Sequence, residues 1–118
     1  MVMAAINCVA NPNVTKEHTV KVTCYQPVAA QCNSNPTVTA DGSKINMNKL
    51  KQGEVKWCAV SRDLLKHYPY GSKIYIEGHG WYEVHDTCNK RYTNLVDILI
   101  HPTHKGFCKK GVKISNKA

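Results

Sequence analysis

The chain has 118 residues, of which 42% are hydrophobic, so it is long enough for one folded domain with one core and too apolar to be disordered. Its 16 Lys and Arg against 8 Asp and Glu give a net charge of +8, which favours polyanionic partners such as nucleic acid, anionic membranes or an anionic cell wall. The basic residues are dispersed and no aromatic-interleaved RNA-binding motif occurs, so we expect no specific nucleic-acid partner.

The first 17 residues predict a loose lead-in segment, compatible with the remnant of an export signal. They contain no apolar run long enough for a signal core or a membrane span, and we expect no transmembrane segment. Residues 18–118 then predict a single domain.

Alternating apolar and polar residues predict short strands through most of this domain. A helix is expected at 61–68, with Ser61 as its N-cap, and a helical turn at 44–52. Six or seven short strands with one brief helix favour a mainly β fold closed as a barrel or sandwich, because closure removes exposed edges. The predicted strands are 18–25, 37–40, 55–60, 73–77, 81–85, 95–100 and 112–115.

Six cysteines in a short chain are compatible with up to three disulfides in an oxidising compartment, or with free thiols used as small core residues. We favour at least one disulfide. No CxxC occurs and no pair has zinc-finger spacing, which disfavours a cysteine-based metal site. The cysteines are Cys8, Cys24, Cys32, Cys58, Cys88 and Cys108.

Asp97 interrupts the apolar run 95–100, and on a strand it shares a face with Leu95 and Leu99. A carboxyl group between two leucines is costly to ionise, so burial raises its pKa, as a general acid requires. The alternative is a buried aspartate that only bonds to a turn. Asp86 opens a predicted loop after a strand, where functional groups often lie. Asp63 suits either the start of a helix or an active site.

Other chemistries are less well supported. A zinc site from His101, His104 and Asp86 is conceivable, but Pro102 argues against a helix that presents both histidines. A nucleophilic Cys88 beside His85 has no cysteine-hydrolase signature around it. The chain has no glycine-rich phosphate loop and no GxSxG motif, so a nucleotide enzyme or a serine hydrolase is disfavoured, and no cofactor is expected.

Five stretches, taken in order, resemble the three-aspartate (3D) domain. That domain is shared by the membrane-bound lytic transglycosylase A family and by cell-wall enzymes of Gram-positive bacteria, and the match is closest to short forms in gut bacteria and their phages. The stretches are TCY at 23–25, QCNSNPTVTADG at 31–42, CAVSRDLL at 58–65, YGSKIYIEG at 70–78 and HDTCNKRYTNLVDIL at 85–99.

The resemblance implies a six- to seven-stranded double-psi β-barrel that cleaves the β-1,4 bond between N-acetylmuramic acid and N-acetylglucosamine in peptidoglycan. It leaves a 1,6-anhydro end and needs no metal or cofactor. By the same resemblance, Asp97 corresponds to the catalytic acid/base and Asp86 to a second site aspartate. Asp63 corresponds to the third, although many members carry it directly after AV, where this chain has Ser61. The expected groove residues are Tyr25, Thr39 and Asn89.

Three functions follow as hypotheses. The first is a peptidoglycan lytic transglycosylase. The second is a barrel that binds the cell wall or its glycan without cutting it, since a fold does not fix a chemistry. The third is a structural component of a virion or envelope, which contacts other proteins there. All three predict an extracytoplasmic location in the periplasm, the cell envelope or the medium, or a virion-associated one if a phage encodes the chain.

Overall fold

The computed structural model describes residues 15–28 and 36–117, which form a mostly β structure. Six strands and two short helices follow one another along these residues. In chain order they are β1 (Glu17–Tyr25), α1 (Met47–Lys51), β2 (Trp57–Val60), α2 (Arg62–Leu65), β3 (Lys73–Ile76), β4 (Gly80–Thr87), β5 (Leu95–Leu99) and β6 (Lys109–Ser115).

The six strands pair into one closed ring in the order β1, β5, β2, β4, β3, β6, with β6 pairing back onto β1. The sheet is mixed. Strands β1 and β5 are parallel, as are β2 and β4, whereas the other four pairs are antiparallel. The ring agrees with the expected mainly β fold, and its six strands lie within the predicted number.

Alternate residues of all six strands point into the ring and form the main core. These are mostly β-branched side chains, which pack well on a pleated surface. A second, smaller cluster covers the outer face of β1, β2 and β5. Its buried members are Tyr25, Ile45, Leu50, Ala59, Cys88, Leu95 and Leu99.

The alternation predicted for β5 is confirmed. Val96 and Ile98 belong to the main core, whereas Leu95 and Leu99 belong to the outer cluster. Asp97 therefore lies on the outer face of the ring, between the two leucines, as the period of two requires.

The structure corrects three local predictions. It contains two short helices where one was expected, because residues 47–51 form a true helix in which the Asn46 side chain accepts from the Lys49 amide. Strand β4 continues past His85 to Thr87, so Asp86 lies in a strand rather than in a loop. The predicted strand at 37–40 is reduced to a single bridge between Val38 and Lys44.

Most of the predicted lead-in segment, and most of the loop after β1, lie outside the described residues. Cys8 and Cys32 fall there too, so the disulfide prediction stays open for them. Cys24, Cys58 and Cys88, with Cys108, are free thiols. None of the helices in the described part of the chain is long and apolar enough to cross a membrane.

Candidate functional site

Four strands place one row of side chains across the outer face of the ring. Thr23 on β1 pairs with Asp97 on β5, and Ala59 on β2 pairs with Asp97 on one side and Asp86 on the other. Directly paired residues point to the same face of a sheet. The two aspartates therefore flank a small alanine, with their Cα atoms two strand spacings apart, roughly 10 Å.

A β-bulge brings Asp86 into this row. Cys58 pairs with Val84, but the next residue, Ala59, pairs with Asp86, so His85 is an extra residue in β4. Val84 is fully buried in the main core. Without the bulge, Asp86 would share the inward face of Val84, since residues two apart on a strand point the same way. The extra residue turns the carboxylate outward, towards Asp97.

Asp97 has the environment of a carboxylic acid that holds its proton. Burial raises its pKa above the ordinary value, the hydrogen bond from Thr23 opposes this, and the negative charge of Asp86 raises the pKa further. Thr23 Oγ1 donates to Asp97 Oδ1 at 2.8 Å. Among the described residues nothing bonds to Oδ2, so this oxygen is free to meet a ligand.

Asp86 is held firmly by the protein. Its Oδ1 accepts from the backbone amides of Ala40, at 3.0 Å, and Thr87, at 2.9 Å. Its Oδ2 accepts from the hydroxyl of Tyr25 at 3.2 Å. Burial and the charge of Asp86 raise the pKa of Tyr25, which therefore stays a donor. Of about four lone-pair positions on a carboxylate, three are occupied.

Both aspartates open into one cleft of about 720 Å³. The predicted groove residues Tyr25 and Asn89 also line it. The segment between β1 and α1 contributes Pro36, Val38 and Ala40 to the lining, and the strand faces and the β4–β5 loop contribute the rest. The other lining residues are Lys21, Thr23, Cys24, Ala59, Thr87, Cys88, Arg91, Tyr92, Thr93 and Leu95.

Asp63 does not line the cleft. Its Oδ2 accepts from the amide of Asn94 at 3.0 Å. Asn94 is the residue before β5 and has a left-handed backbone with φ 49°, which asparagine tolerates. Although burial would raise the pKa of Asp63, the nearby Ser61 hydroxyl and the Asn94 amide bring it below the ordinary value. Asp63 thus fixes the start of the strand that carries Asp97.

Thr39 also lies outside the cleft lining. It is buried, and its hydroxyl donates to Asp41 Oδ1 at 2.6 Å. Asp41 in turn accepts from the Ser43 amide at 3.0 Å, as expected of an aspartate in a turn. This turn delivers the amide of Ala40 to Asp86.

His85 clamps that turn to β4. Its Nδ1 lies 2.7 Å from Asp41 Oδ2, and its Nε2 lies 2.9 Å from Glu83 Oε1. The ring packs on Trp57, with 4.2 Å between centroids. The imidazole is thus committed to two carboxylates. Burial and the neighbouring aspartates raise the pKa of Cys88 to about 12, so this thiol stays protonated, which weakens the cysteine-nucleophile alternative.

Sequence reasoning missed several residues that shape the site. Thr23 and Ala59 become part of it only through strand pairing, and Arg91 and Tyr92 enter the cleft from a loop. The sequence signal for Thr23 was present, since it alternates in phase with Tyr25 on β1. No group of three or more His, Cys, Asp or Glu side chains in the described ranges is arranged to hold a metal ion.

No protein-family model matches the chain, and no curated protein matches it. The site itself offers an acid with a free oxygen, a fixed carboxylate nearby and an open cleft that both of them line.

Proposed function

We propose that the protein is a peptidoglycan lytic transglycosylase in which Asp97 is the general acid/base. The observation that carries the proposal is that Asp97 and Asp86 line one open cleft. The pKa of Asp97 is raised and its Oδ2 is free, whereas the Asp86 carboxylate is fixed by hydrogen bonds. The resemblance to the three-aspartate domain supplies the substrate. The closed, mixed six-stranded ring is compatible with the double-psi barrel that the resemblance implies.

In the first step, Asp97 donates its proton to the oxygen of the glycosidic bond. The bond between C1 of the muramic acid and this oxygen breaks, its electron pair goes to the oxygen, and positive charge develops on the sugar ring. The negative charge of Asp86 lies in the same cleft and stabilises the positive charge. Burial raises the pKa of Asp97, so the side chain stays a proton donor to higher pH than an ordinary aspartic acid does.

In the second step, Asp97 is a carboxylate and accepts the proton of the sugar's own 6-hydroxyl. The oxygen of that hydroxyl forms the bond to C1, giving the 1,6-anhydro sugar, and Asp97 regains its proton. One carboxyl group therefore serves as both acid and base. No water molecule is consumed.

The bonds of Asp86 favour this reaction over hydrolysis. Most glycosidases that add water need a second carboxylate as base or nucleophile. Asp86 is the only other carboxylate that lines the cleft among the described residues, and its two oxygens already accept three hydrogen bonds from the protein. It is placed to stabilise charge rather than to activate water.

The test is mass spectrometry of the soluble products from purified sacculi. We expect 1,6-anhydro-muropeptides from the native protein and a loss of at least about 100-fold in their release by Asp97→Asn. Glu77→Gln, a change of an exposed carboxylate, is the matched control and retains release. Undiminished release by Asp97→Asn contradicts the assignment. Reducing ends would indicate a hydrolase, and wall binding without products a binding module.

A further inference from the structure

Two cations, Lys21 and Arg91, line the cleft. Lys21 is on the same face of β1 as Thr23 and two residues before it, about 7 Å along the strand. The backbone of Lys21 bonds to that of Asn94, in the loop that joins β4 to β5. Arg91 belongs to the same loop, so the segments that carry the two cations meet next to the start of β5, and both side chains line the cleft.

Arg91 is held in place within this loop. Residues 89–92 form a turn in which the amide of Tyr92 donates to the carbonyl of Asn89 at 3.0 Å. Asn89 Oδ1 also accepts from the Arg91 amide at 3.1 Å. The guanidinium lies over the Tyr92 ring, with Cζ 4.8 Å from its centroid, and Nη2 donates to the Tyr92 hydroxyl at 2.7 Å. One edge of the Arg91 guanidinium is thus fixed, and its other N–H groups remain available to a ligand.

No carboxylate in the described part of the chain forms an ion pair with Arg91 or Lys21. The positive charges of Arg91 and Lys21 are therefore not neutralised by a described carboxylate. A guanidinium and an ammonium that line one cleft favour an anion there, and the planar guanidinium of arginine matches a carboxylate in particular.

We propose that Arg91 and Lys21 form a carboxylate-binding subsite, which takes an acidic group of the peptide carried by muramic acid. The inference rests on the proposed function for the identity of the glycan. The reacting sugar binds next to Asp97 in this proposal, and its peptide reaches Arg91 and Lys21, which line the same cleft. Tyr92 holds the guanidinium, so it is a positioning residue of this subsite.

Binding by the non-cleaving Asp97→Asn protein tests the subsite. The probes are peptidoglycan tetrasaccharides with free-acid peptides, the same molecules with amidated peptide carboxyls, and the peptide-free glycan. We expect Asp97→Asn to bind the free-acid form about tenfold more tightly than the amidated form, since charge-assisted hydrogen bonds have that strength. Adding Arg91→Ala removes this difference. Adding Tyr92→Phe, which keeps the ring, reduces it.

The matched control is Lys90→Ala, which removes the same charge one residue away, outside the cleft lining. It leaves the preference for free-acid peptides intact. An equal loss of affinity by Arg91→Ala for all three probes, or no loss, overturns the subsite, as does an equal effect of Lys90→Ala. Arg91-dependent binding of a phosphate polymer such as teichoic acid, with no preference among the peptides, overturns the carboxylate assignment. A carboxyl preference without cleavage by the native protein refutes the proposed function alone.

Discussion

Asp97 and Asp86 lie on the same face of the sheet although their strands, β5 and β4, are not paired with each other. Strand β2 lies between β5 and β4, and its Ala59 pairs with both aspartates. The small side chain keeps the space between the two carboxyl groups open, and the charge of Asp86 acts on Asp97 across it. The relationship makes the acidity of Asp97 adjustable from two sides, by Asp86 and by Thr23.

Two substitutions are expected to shift the pH profile in opposite directions. The negative charge of Asp86 raises the pKa of Asp97, and the bond from Thr23 lowers it. Because the acid must be protonated, activity falls as pH rises through this pKa. Asp86→Asn therefore moves the alkaline limb of kcat/KM to lower pH, whereas Thr23→Val moves it to higher pH. Rates of muropeptide release across pH measure both.

Glu77→Gln is the control for Asp86→Asn, since it removes an exposed carboxylate from the β3–β4 turn. We expect it to leave the alkaline limb of kcat/KM at its native pH. Limbs that move in the same direction in Asp86→Asn and Thr23→Val contradict the assignment of the limb to Asp97.

Filling the position of Ala59 is expected to close the site. Ala59 is 4% exposed, and its side chain lies between the two aspartates. Ala59→Leu introduces bulk there and abolishes product release, at a cost of about 1–3 kcal/mol in the free energy of unfolding from overpacking. Ala59→Ser, of nearly native volume, keeps activity. Thermal unfolding confirms that the leucine variant is folded. A folded, fully active Ala59→Leu protein contradicts the position of the cleft.

The face on which Asp97 lies was predictable because it follows from local alternation. Leu95, Asp97 and Leu99 share a face of any regular strand, whatever the strand pairs with. The orientation of Asp86 was not predictable in this way. It depends on the bulge at His85, which exists only in the pairing of β4 with β2, a contact between segments distant in sequence.

Asp63 likewise has a role that local sequence patterns could not predict. The sequence left a helix-start role and an active-site role open for Asp63, and the structure places the residue in the first turn of α2. Its partner, the Asn94 amide, lies 31 positions away. No local pattern predicts that bond, so the anchoring of β5 by Asp63 became visible only in the fold.

Ser61 is expected to stabilise the domain through β5 rather than as a helix cap. It is fully buried, its hydroxyl accepts from the Leu95 amide at 3.0 Å, and it forms no side-chain cap bond with α2. Ser61→Ala leaves a buried amide without this acceptor, so the free energy of unfolding falls by about 1–3 kcal/mol. Ser72→Ala, which removes an exposed bond to Pro69, is the control. Urea unfolding measures both, and equal stabilities contradict the assignment.

The clamp between His85 and Asp41 is expected to stabilise the turn that carries Ala40 and Asp41, within a defined pH range. Burial alone would lower the pKa of His85, but hydrogen bonds to Glu83 and Asp41 raise it above the ordinary value. A histidine whose pKa is raised by folding contributes stability below its unfolded pKa of about 6.5, and this is lost as pH rises through the folded pKa.

Asp41 sets the acid side of the same range. Burial alone would raise its pKa, but hydrogen bonds from Thr39, His85 and Ser43 lower it to about 2. Its contribution is present above the unfolded pKa of about 4 and is lost as pH falls towards 2. The stabilisation by this ion pair is therefore fully present between about pH 4 and 6.5, the two unfolded pKa values. A double-mutant cycle with Asp41→Asn and His85→Gln is expected to give a coupling of about 1 kcal/mol in this range.

Urea unfolding of the four proteins at pH 5.5 and pH 9 measures that coupling. It is expected to be largest at pH 5.5 and smaller at pH 9, because the coupling falls as pH rises through the folded pKa of His85 and the attraction to Asp41 is reduced to that of a neutral hydrogen bond. A second cycle with Glu83→Gln and His85→Gln is the comparison. Because Glu83 is 42% exposed, against 14% for Asp41, water screens that pair and its coupling is weaker. A coupling between Asp41 and His85 that is equal at both pH values contradicts an ionic clamp.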